Sequence, residues 1–232
     1  MLGVRCDATI GRVPRVDVIC LHGLGRTPSD WDGVRPALNV LGPTRAPALP
    51  PSPAKAVEAI DAAVPAGAVV IGHSMGAVLA VRWLHATGRE LTALVLSGAF
   101  FPPARNGRSV SASVGDYLAH RVAYVRARAP GRPANGESRR ALMSLLRDAA
   151  RPRGSAAALA SISCPTLVVH ARDDHHVPFD FAVAAARRHP GLDLALLHEG
   201  GHHAHLHRPD DWLEQVLPWL QDAQACVKHR PG

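Results

Sequence analysis

Short apolar runs alternate with amphipathic, alanine-rich stretches along most of the chain. Nearly continuous apolar runs of strand length are typical of parallel strands that helices cover on both faces. The predicted strands span residues 16–21, 44–48, 68–71, 91–97, 164–170 and 192–197, and the predicted helices span 29–38, 53–63, 75–87, 179–189 and 210–226. This alternation predicts an α/β fold with a doubly wound, mostly parallel sheet.

Local signals place several helix boundaries. Ser29 followed by Asp32 resembles a capping box, which would begin a helix that runs towards Leu38. Gly88 is expected to end the helix at 75–87. Pro218 is expected to kink the last helix, because proline has no backbone N–H to donate.

The alternation stops between residues 101 and 161, where prolines and glycines punctuate two helical stretches near 114–129 and 137–150. We therefore expect a small helical insertion at 101–161 between two strands of a core formed by residues 1–100 and 162–232. With 232 residues and 47% hydrophobic composition, the chain is large enough for one such core.

The net charge of +7 is concentrated in this insertion. Residues 101–155 hold 11 arginines and three acids, an excess of +8, whereas the rest of the chain holds 15 basic and 16 acidic residues. A nucleic-acid partner is not favoured, because aromatic residues that could stack on bases are few in this segment. Two interpretations stay open: a solvated surface with an arginine-, alanine- and proline-rich composition, or a surface that attracts anionic substrates.

The four cysteines, at positions 6, 20, 164 and 226, are far apart and form no CxxC pair. This spacing argues against a disulfide framework and favours a reducing compartment. Residues 1–12 lack the apolar core of a signal peptide, and no run approaches the roughly 18–20 apolar residues of a membrane span. We expect a soluble, cytoplasmic protein with no membrane span.

The stretch Gly72-His73-Ser74-Met75-Gly76 lies where a valine-rich strand meets an alanine-rich helix. It fits G-x-S-x-G, the nucleophile elbow, in the strand–turn–helix context that this motif requires. Because the chain reverses its direction within one residue, Ser74 is forced into a strained conformation. The residues two before and two after it then crowd each other, so both must be small. The hydroxyl is then expected to stand above a helix N-terminus, which favours negative charge.

Three further motifs accompany G-x-S-x-G: His22-Gly23 after the first strand, HARDDHHVP at 170–178 and GGHHAHLHRP at 200–209. Because the four motifs follow the order that the family has, the sequence resembles the α/β-hydrolase family over residues 16–220. The resemblance implies a nucleophile at Ser74, an acid in the second motif and a base in the third. It also implies that the insertion is a lid, and that acyl transfer proceeds without a metal, nucleotide or redox cofactor.

Two adjacent aspartates compete for the role of the acid in HARDDHHVP. The family places its aspartate three residues after a small residue and three before a Val-Pro pair, which gives Asp174 when counted from Ala171. Asp173 is then interpreted as a turn former or as the partner of Arg172.

Five histidines compete for the role of the base, at positions 198, 202, 203, 205 and 207. The family places its histidine directly after the glycine that ends the last strand, and the resemblance therefore assigns the base to His202. The same imidazoles could bind zinc. However, the sequence lacks both the H-E-x-x-H and the H-x-H-x-D-H signatures, so we expect no catalytic metal, although adventitious metal uptake stays open.

The loop LHGLGRTPSDW at residues 21–31 resembles the oxyanion loop of the family. The resemblance assigns the two backbone N–H donors to Leu24 and Met75, and His22 is expected to brace the loop rather than transfer protons. The candidate pocket is mainly apolar and consists of Leu24, Met75, Phe100, Phe101, Met143 and Val177.

Together these assignments predict a serine hydrolase that cleaves a carboxylic ester through Ser74, His202 and Asp174 and an acyl-enzyme intermediate. One alternative is an acyl-CoA or acyl-carrier-protein thioesterase with the same triad. Another is a non-catalytic binding module of the same fold, which a missing triad residue would indicate. The expected partner is a small-molecule ester or thioester, with an anionic substrate left open, and the sequence indicates no particular oligomeric state.

Overall fold

The computed structural model describes residues 15–101, 140, 143–144 and 158–227. Within these residues six strands form one sheet, and every pairing in it is parallel. The strands are β1 (Val18–Leu21), β2 (Thr44–Arg45), β3 (Val69–His73), β4 (Ala93–Ser97), β5 (Thr166–Ala171) and β6 (Leu192–Leu197). The predicted α/β class with a parallel, doubly wound sheet is confirmed.

The strand order is β2-β1-β3-β4-β5-β6. The direction of winding reverses at β1, because β2 and β3 lie on opposite sides of it. In open α/β sheets, the ligand crevice forms at the carboxyl ends of the strands next to such a reversal. The fold therefore directs attention to the loops that follow β1 and β3.

Helices connect the strands. The described helices are α1 (Arg35–Leu38), α2 (Pro53–Ala63), α3 (Met75–Thr87), α4 (Phe179–Arg188), α5 (Ala204–His207) and α6 (Pro209–Val227). Short 3₁₀ turns lie at Pro28–Trp31, Leu159–Ser161 and Gly201–His203. Helix α3 has the predicted bounds, and Gly88 ends it in the left-handed conformation, with φ of 63°.

Both faces of the sheet are buried. Ile19 and Val70 point to the face covered by α2, α3 and α4. Their neighbours Val18 and Val69 point to the opposite face, where Trp212 of α6 covers them. Successive strand residues face opposite sides, so a sheet covered on both sides needs continuous apolar runs. Burial of each such side chain contributes about 1.5–3 kcal/mol.

The prediction of one continuous helix at 29–38 is wrong. The 3₁₀ turn at Pro28–Trp31 and the short helix α1 replace it. The Ser29 hydroxyl contacts Thr27 Oγ1 at 2.7 Å and makes no cap, and the Asp32 carboxylate binds Arg35. A proline in the first turn of α1 favours a new helix start there, because its missing N–H is tolerated at that position.

Cys226 is disulfide-bonded, and Cys20 is a buried thiol. One such bond is not the disulfide framework that the cysteine spacing argues against. Spacing could not reveal this bond, because a disulfide needs only two cysteines whose Cα atoms approach within about 7 Å in the fold.

No helix among the described residues is long and apolar enough to cross a membrane. The predicted insertion at 101–161 lies almost wholly outside the described residues. Its division from the core and its role as a lid therefore stay predictions.

Candidate active site

The turn between β3 and α3 holds Ser74 in a strained conformation. Its φ of 51° is the one positive value found at a non-glycine position in the described chain, and its ψ is −113°. A Cβ on Gly72 would lie 2.5 Å from the Ala77 Cα, and a Cβ on Gly76 would lie 2.4 Å from the Leu21 carbonyl oxygen. Both contacts are too short for any side chain, so the turn that presents Ser74 requires these two glycines.

A line of hydrogen bonds runs from Ser74 to Asp174 through His202. His202 Nε2 lies 2.9 Å from Ser74 Oγ, and His202 Nδ1 lies 2.8 Å from Asp174 Oδ2. A carboxylate can only accept, so the neutral imidazole carries its hydrogen on Nδ1 and leaves the Nε2 lone pair facing the serine hydroxyl. The structure thus brings together the three residues that the motifs single out.

The Asp174 carboxylate is buried, receives three hydrogen bonds and lies close to a second imidazole. Oδ1 accepts the backbone N–H groups of His176 and Val177 at 2.7 and 2.9 Å. Oδ2 lies 2.8 Å from His202 Nδ1 and 3.2 Å from His170 Nε2. Burial alone would raise the pKa of Asp174, but the interactions with His170 and His202 outweigh it and hold the pKa far below its ordinary value.

Asp173 holds the backbone of the loop that carries His202. Its carboxylate oxygens accept the N–H groups of Gly201 at 2.8 Å and Gly200 at 3.3 Å. These glycines have φ values of 61° and 130° and lead directly into His202. Sequence reasoning interpreted Asp173 as a turn former or as a partner of Arg172, and missed this contact.

His73, the residue before the nucleophile, holds the same loop from the other side. Its Nε2 donates to the His202 carbonyl oxygen at 2.8 Å. Burial is the main reason that the pKa of His73 lies well below its ordinary value, and the surrounding His205, His202 and His203 lower it further. A neutral imidazole with its hydrogen on Nε2 satisfies this geometry.

The loop after β1 passes directly over the serine turn. A Cβ on Gly23 would lie 2.9 Å from His73 Nδ1, which leaves room for glycine alone. His22 is buried, accepts the Leu49 N–H on Nε2 at 2.9 Å and donates from Nδ1 to the Gly23 carbonyl at 2.9 Å. With both ring nitrogens engaged, His22 holds the backbone of the loop.

The candidate oxyanion donors flank this crossing. Leu24 follows Gly23, and Met75 is the first residue of α3. N–H groups in the first turn of a helix have no partner within the helix and point outward from its N-terminus. The amides of Leu24 and Met75 thus belong to the two segments that meet beside Ser74.

The sequence pattern of the alpha/beta hydrolase family matches residues 18–216. The chain belongs to the alpha/beta hydrolase family. Membership of this family identifies the protein as a hydrolase.

Known proteins with this likeness include esterases. Pimeloyl-[acyl-carrier protein] methyl ester esterase of Aromatoleum aromaticum is 28% identical to the chain over 238 residues, which cover 85% of this chain and 95% of that esterase.

Solved structures share the fold. An esterase from Exiguobacterium antarcticum superposes with a TM-score of 0.60 and 19% identity, covering 89% of this chain and 92% of the esterase. The thioesterase domain from the curacin biosynthetic pathway gives a TM-score of 0.62 and 18% identity, covering 90% of this chain and 93% of the domain. At these identities the likeness shows the fold alone.

In this alpha/beta hydrolase, the candidate pocket residues share one apolar cluster. Phe100 packs against Phe181 of α4 with ring centroids 5.7 Å apart. The cluster includes all six candidates: Leu24, Met75, Phe100, Phe101, Met143 and Val177. Their common packing is compatible with an apolar acyl site and equally with an ordinary core.

Further histidines surround His202 in this hydrolase. The His176 ring stacks on the His202 ring with centroids 4.9 Å apart, and the His203 ring meets it edge-on at 5.1 Å. Burial, followed by the charge of neighbouring groups, lowers the pKa of His203 to about 4 and that of His205 to about 3. Within the described residues, no three His, Cys, Asp or Glu side chains are placed to hold a metal ion together.

Sequence reasoning also missed His170, which contacts the acid from the end of β5. A signal was present, because His170 is a polar residue within the apolar run Leu167–Ala171. A histidine that a strand buries at its carboxyl end needs a partner there, and the adjacent acid motif supplies one.

Proposed function

We propose that the protein is a serine hydrolase that cleaves a carboxylic ester through Ser74, His202 and Asp174. The observation that carries this proposal is the line of hydrogen bonds at 2.9 and 2.8 Å that joins the three side chains. The strained backbone of Ser74 supports it, because strain of this kind is retained where surrounding structure and function demand it.

In the first half of the reaction, Ser74 Oγ attacks the ester carbonyl carbon while His202 Nε2 takes the hydroxyl proton. The carbonyl oxygen becomes an oxyanion, which the N–H groups of Leu24 and Met75 stabilise. Asp174 remains ionised and stabilises the imidazolium through Nδ1. His202 then gives its proton to the leaving alcohol oxygen as the C–O bond breaks, and the acyl group stays on Ser74.

In the second half, water replaces the alcohol. His202 Nε2 takes a proton from the water, and the resulting hydroxide oxygen attacks the acyl carbon. The bond to Ser74 Oγ breaks, His202 returns the proton to Oγ, and the carboxylic acid leaves. The donors at Leu24 and Met75 act on the oxyanion in both halves, so every group is restored at the end.

Aryl esters of graded acyl chain length test this proposal. Wild-type protein is expected to hydrolyse them, and Ser74→Ala is expected to lower kcat by about 10⁴-fold or more while the circular dichroism spectrum is unchanged. A fluorophosphonate should label wild-type protein once, at Ser74, and leave the alanine variant unlabelled. Turnover at the wild-type rate in the alanine variant would contradict the role of Ser74, and no turnover in folded wild-type protein would contradict the proposal and favour a binding module.

A second candidate is cleavage of a thioester that joins an acyl group to coenzyme A or to an acidic carrier protein. The observation that favours it is the excess charge of +8 in residues 101–155, which would attract an anionic substrate. The relative from Aromatoleum aromaticum, whose name describes a methyl ester on an acyl-carrier protein, supports a carrier-bound substrate but names the ester as the bond that is cleaved.

One substrate separates the two bonds: a carrier protein loaded with a dicarboxylic acid monomethyl ester. Ester cleavage leaves the acyl chain on the carrier with the methyl group replaced by hydrogen, whereas thioester cleavage releases the chain and leaves the free phosphopantetheine thiol. Mass spectrometry of the carrier distinguishes these products. Charge attraction further requires kcat/KM for the carrier to fall steeply as salt rises to about 0.5 M, while kcat/KM for a neutral aryl ester changes little.

A further inference from the structure

His170 lies behind the acid of the candidate triad. It is the second-to-last residue of β5, and its side chain has no exposed surface. The Asp174 side chain, four residues later, is equally buried, so the two groups meet in a region that water does not reach. His170 is separated from Ser74 by Asp174 and His202, which places it outside the reacting groups.

The hydrogen-bond geometry fixes the tautomer of His170. Its Nε2 lies 2.9 Å from the Val177 carbonyl oxygen and 3.2 Å from Asp174 Oδ2. Both neighbours are acceptors, so Nε2 must carry a hydrogen, which the Val177 carbonyl accepts and which lies beside Asp174 Oδ2. The other nitrogen, Nδ1, is buried without a hydrogen-bond partner among the described residues, which a buried histidine tolerates at a cost.

The contact from His170 falls on the carboxylate oxygen that also binds the base. Asp174 Oδ2 accepts His202 Nδ1–H at 2.8 Å, and His170 Nε2 approaches the same oxygen to 3.2 Å. Within the described part of the chain, these two imidazoles are the titratable groups that act on Asp174.

We propose that His170 is a positioning residue that holds Asp174 Oδ2 in line with His202 Nδ1 and keeps the carboxylate from accepting the proton of the base. The inference rests on the proposed function, because it assigns His170 a role only in a protein whose base is His202. Charge-assisted hydrogen bonds to a buried carboxylate are strong, and loss of a donor frees the carboxylate to turn and to bind protons more tightly.

This role predicts an effect on kcat rather than on KM. His170 meets the pocket candidate Val177 at its backbone carbonyl and is separated from Ser74 by Asp174 and His202, so loss of the imidazole is expected to act mainly through the acid. The imidazolium that Asp174 stabilises exists only along the reaction, and a misaligned acid therefore weakens the transition state alone.

Replacement of His170 by leucine, methionine and glutamine tests the proposal with an aryl ester as substrate. Leucine and methionine have no donor, whereas the glutamine amide nitrogen reaches about as far as Nε2. The two apolar variants are expected to lose about 10- to 100-fold in kcat with KM within twofold, and His170→Gln is expected to recover most of kcat. The proton NMR resonance of His202 Nδ1–H should shift in the apolar variants and return in His170→Gln.

Thr166→Val is the matched control on the same strand. Thr166 is buried and its hydroxyl donates to the Cys164 carbonyl at 2.9 Å, so valine removes one buried hydrogen bond of β5 far from Asp174. Its Tm should fall while kcat stays within twofold. Fluorophosphonate labelling counts the folded sites in each variant.

Three outcomes are decisive. Wild-type protein without serine-dependent esterase activity would end the proposed function itself. Active wild-type protein with unchanged kcat in the apolar variants would overturn the role of His170. Equal losses in glutamine and apolar variants, with the His202 resonance unmoved, would assign His170 a purely structural role and overturn the proposal as well.

Discussion

His205→Phe is expected to make the protein less sensitive to acid. His205 lies in α5 with 1% of its surface exposed, and its ring stacks on Trp31 with centroids 4.4 Å apart. Neither ring nitrogen has a hydrogen-bond partner among the described residues. The site therefore suits an apolar aromatic ring, and a proton on the imidazole would be a charge without a partner.

The direction of the effect follows from the pKa in the two states. Burial lowers the pKa of His205 from 6.5 to about 3 in the folded chain. Between these values the unfolded chain binds more protons, so stability is complete above pH 6.5 and falls as the pH drops towards 3. Asp174 does not contribute in the upper part of this window, because its lowered pKa affects stability only near and below the unfolded value of about 3.9.

At pH 5 the size of the stability loss depends on the pKa of His205 in the unfolded chain. At 1.5 units below the unfolded pKa, one buried neutral histidine lowers the free energy of unfolding by about 2 kcal/mol, at 1.36 kcal/mol per unit. At pH 7.5 two contributions to the free energy of unfolding oppose each other, at about 1–3 kcal/mol each. Removal of two unsatisfied nitrogens stabilises the folded chain, and the larger phenylalanine ring destabilises it. The variant should therefore match wild type at pH 7.5 and exceed it by about 2 kcal/mol at pH 5.

Urea unfolding at pH 7.5, 6.5, 5.5 and 5.0, followed by the fluorescence of the buried tryptophans, measures this difference. A gain of 2 kcal/mol raises the urea midpoint by about 1 M for a slope near 2 kcal/mol/M. His198→Gln is the control, because it also removes one imidazole but from a side chain that is 91% exposed. If His205→Phe loses stability between pH 7.5 and 5 as steeply as wild type, the buried neutral imidazole is not the cause.

Three further predictions concern the site. Asp174→Asn is expected to lower kcat by about 10⁴-fold, because an amide stabilises the wrong tautomer of His202. Asp173→Asn should lower kcat by about tenfold, because it turns an N–H towards the glycine amides whose hydrogen bonds the carboxylate accepts. Equal losses in the two variants would refute the division of roles. His202→Ala should match Ser74→Ala in kcat while His203→Ala keeps most activity, and the reverse ranking would show the wrong base. Gly76→Ala should lower the thermal stability strongly, as measured by Tm, because its Cβ would lie 2.4 Å from a backbone oxygen.

Residues that act within one short segment could be predicted from the sequence. Gly72 and Gly76 flank Ser74 at the spacing that a one-residue reversal demands, and the structure gives Ser74 a φ of 51°. The helix Met75–Thr87 begins at that turn and ends at Gly88, both of which are local signals. The order of the motifs placed Asp174 and His202 near Ser74, because parallel strands bring their carboxyl ends to one edge.

Contacts between distant segments could not be predicted in the same way. The bonds from Asp173 to Gly201 and from His73 to the His202 carbonyl join residues 28 and 129 positions apart. Nothing in the spacing records such a contact, since it depends on how β3, β5 and β6 pack side by side. The failed cap at Ser29 has the opposite origin: the local pattern was present, but a different partner, Thr27, occupied the hydroxyl.

Because β6 lies at the edge of the described sheet, the position of His202 depends on whether this edge stays folded. In the proposed mechanism the nucleophile Ser74 follows a central strand, whereas the base His202 follows β6, which is bound on one side by β5 among the described strands and is only partly buried. Proteins open in cooperative units, and an edge strand with the loop it carries belongs to the units that open at the lowest free energy. An opening of this edge removes the proton acceptor while the rest of the sheet keeps its shape. If His202 is the base, turnover is expected to cease with a fluctuation far smaller than global unfolding, and amide hydrogen exchange in β6 would measure how often that fluctuation occurs.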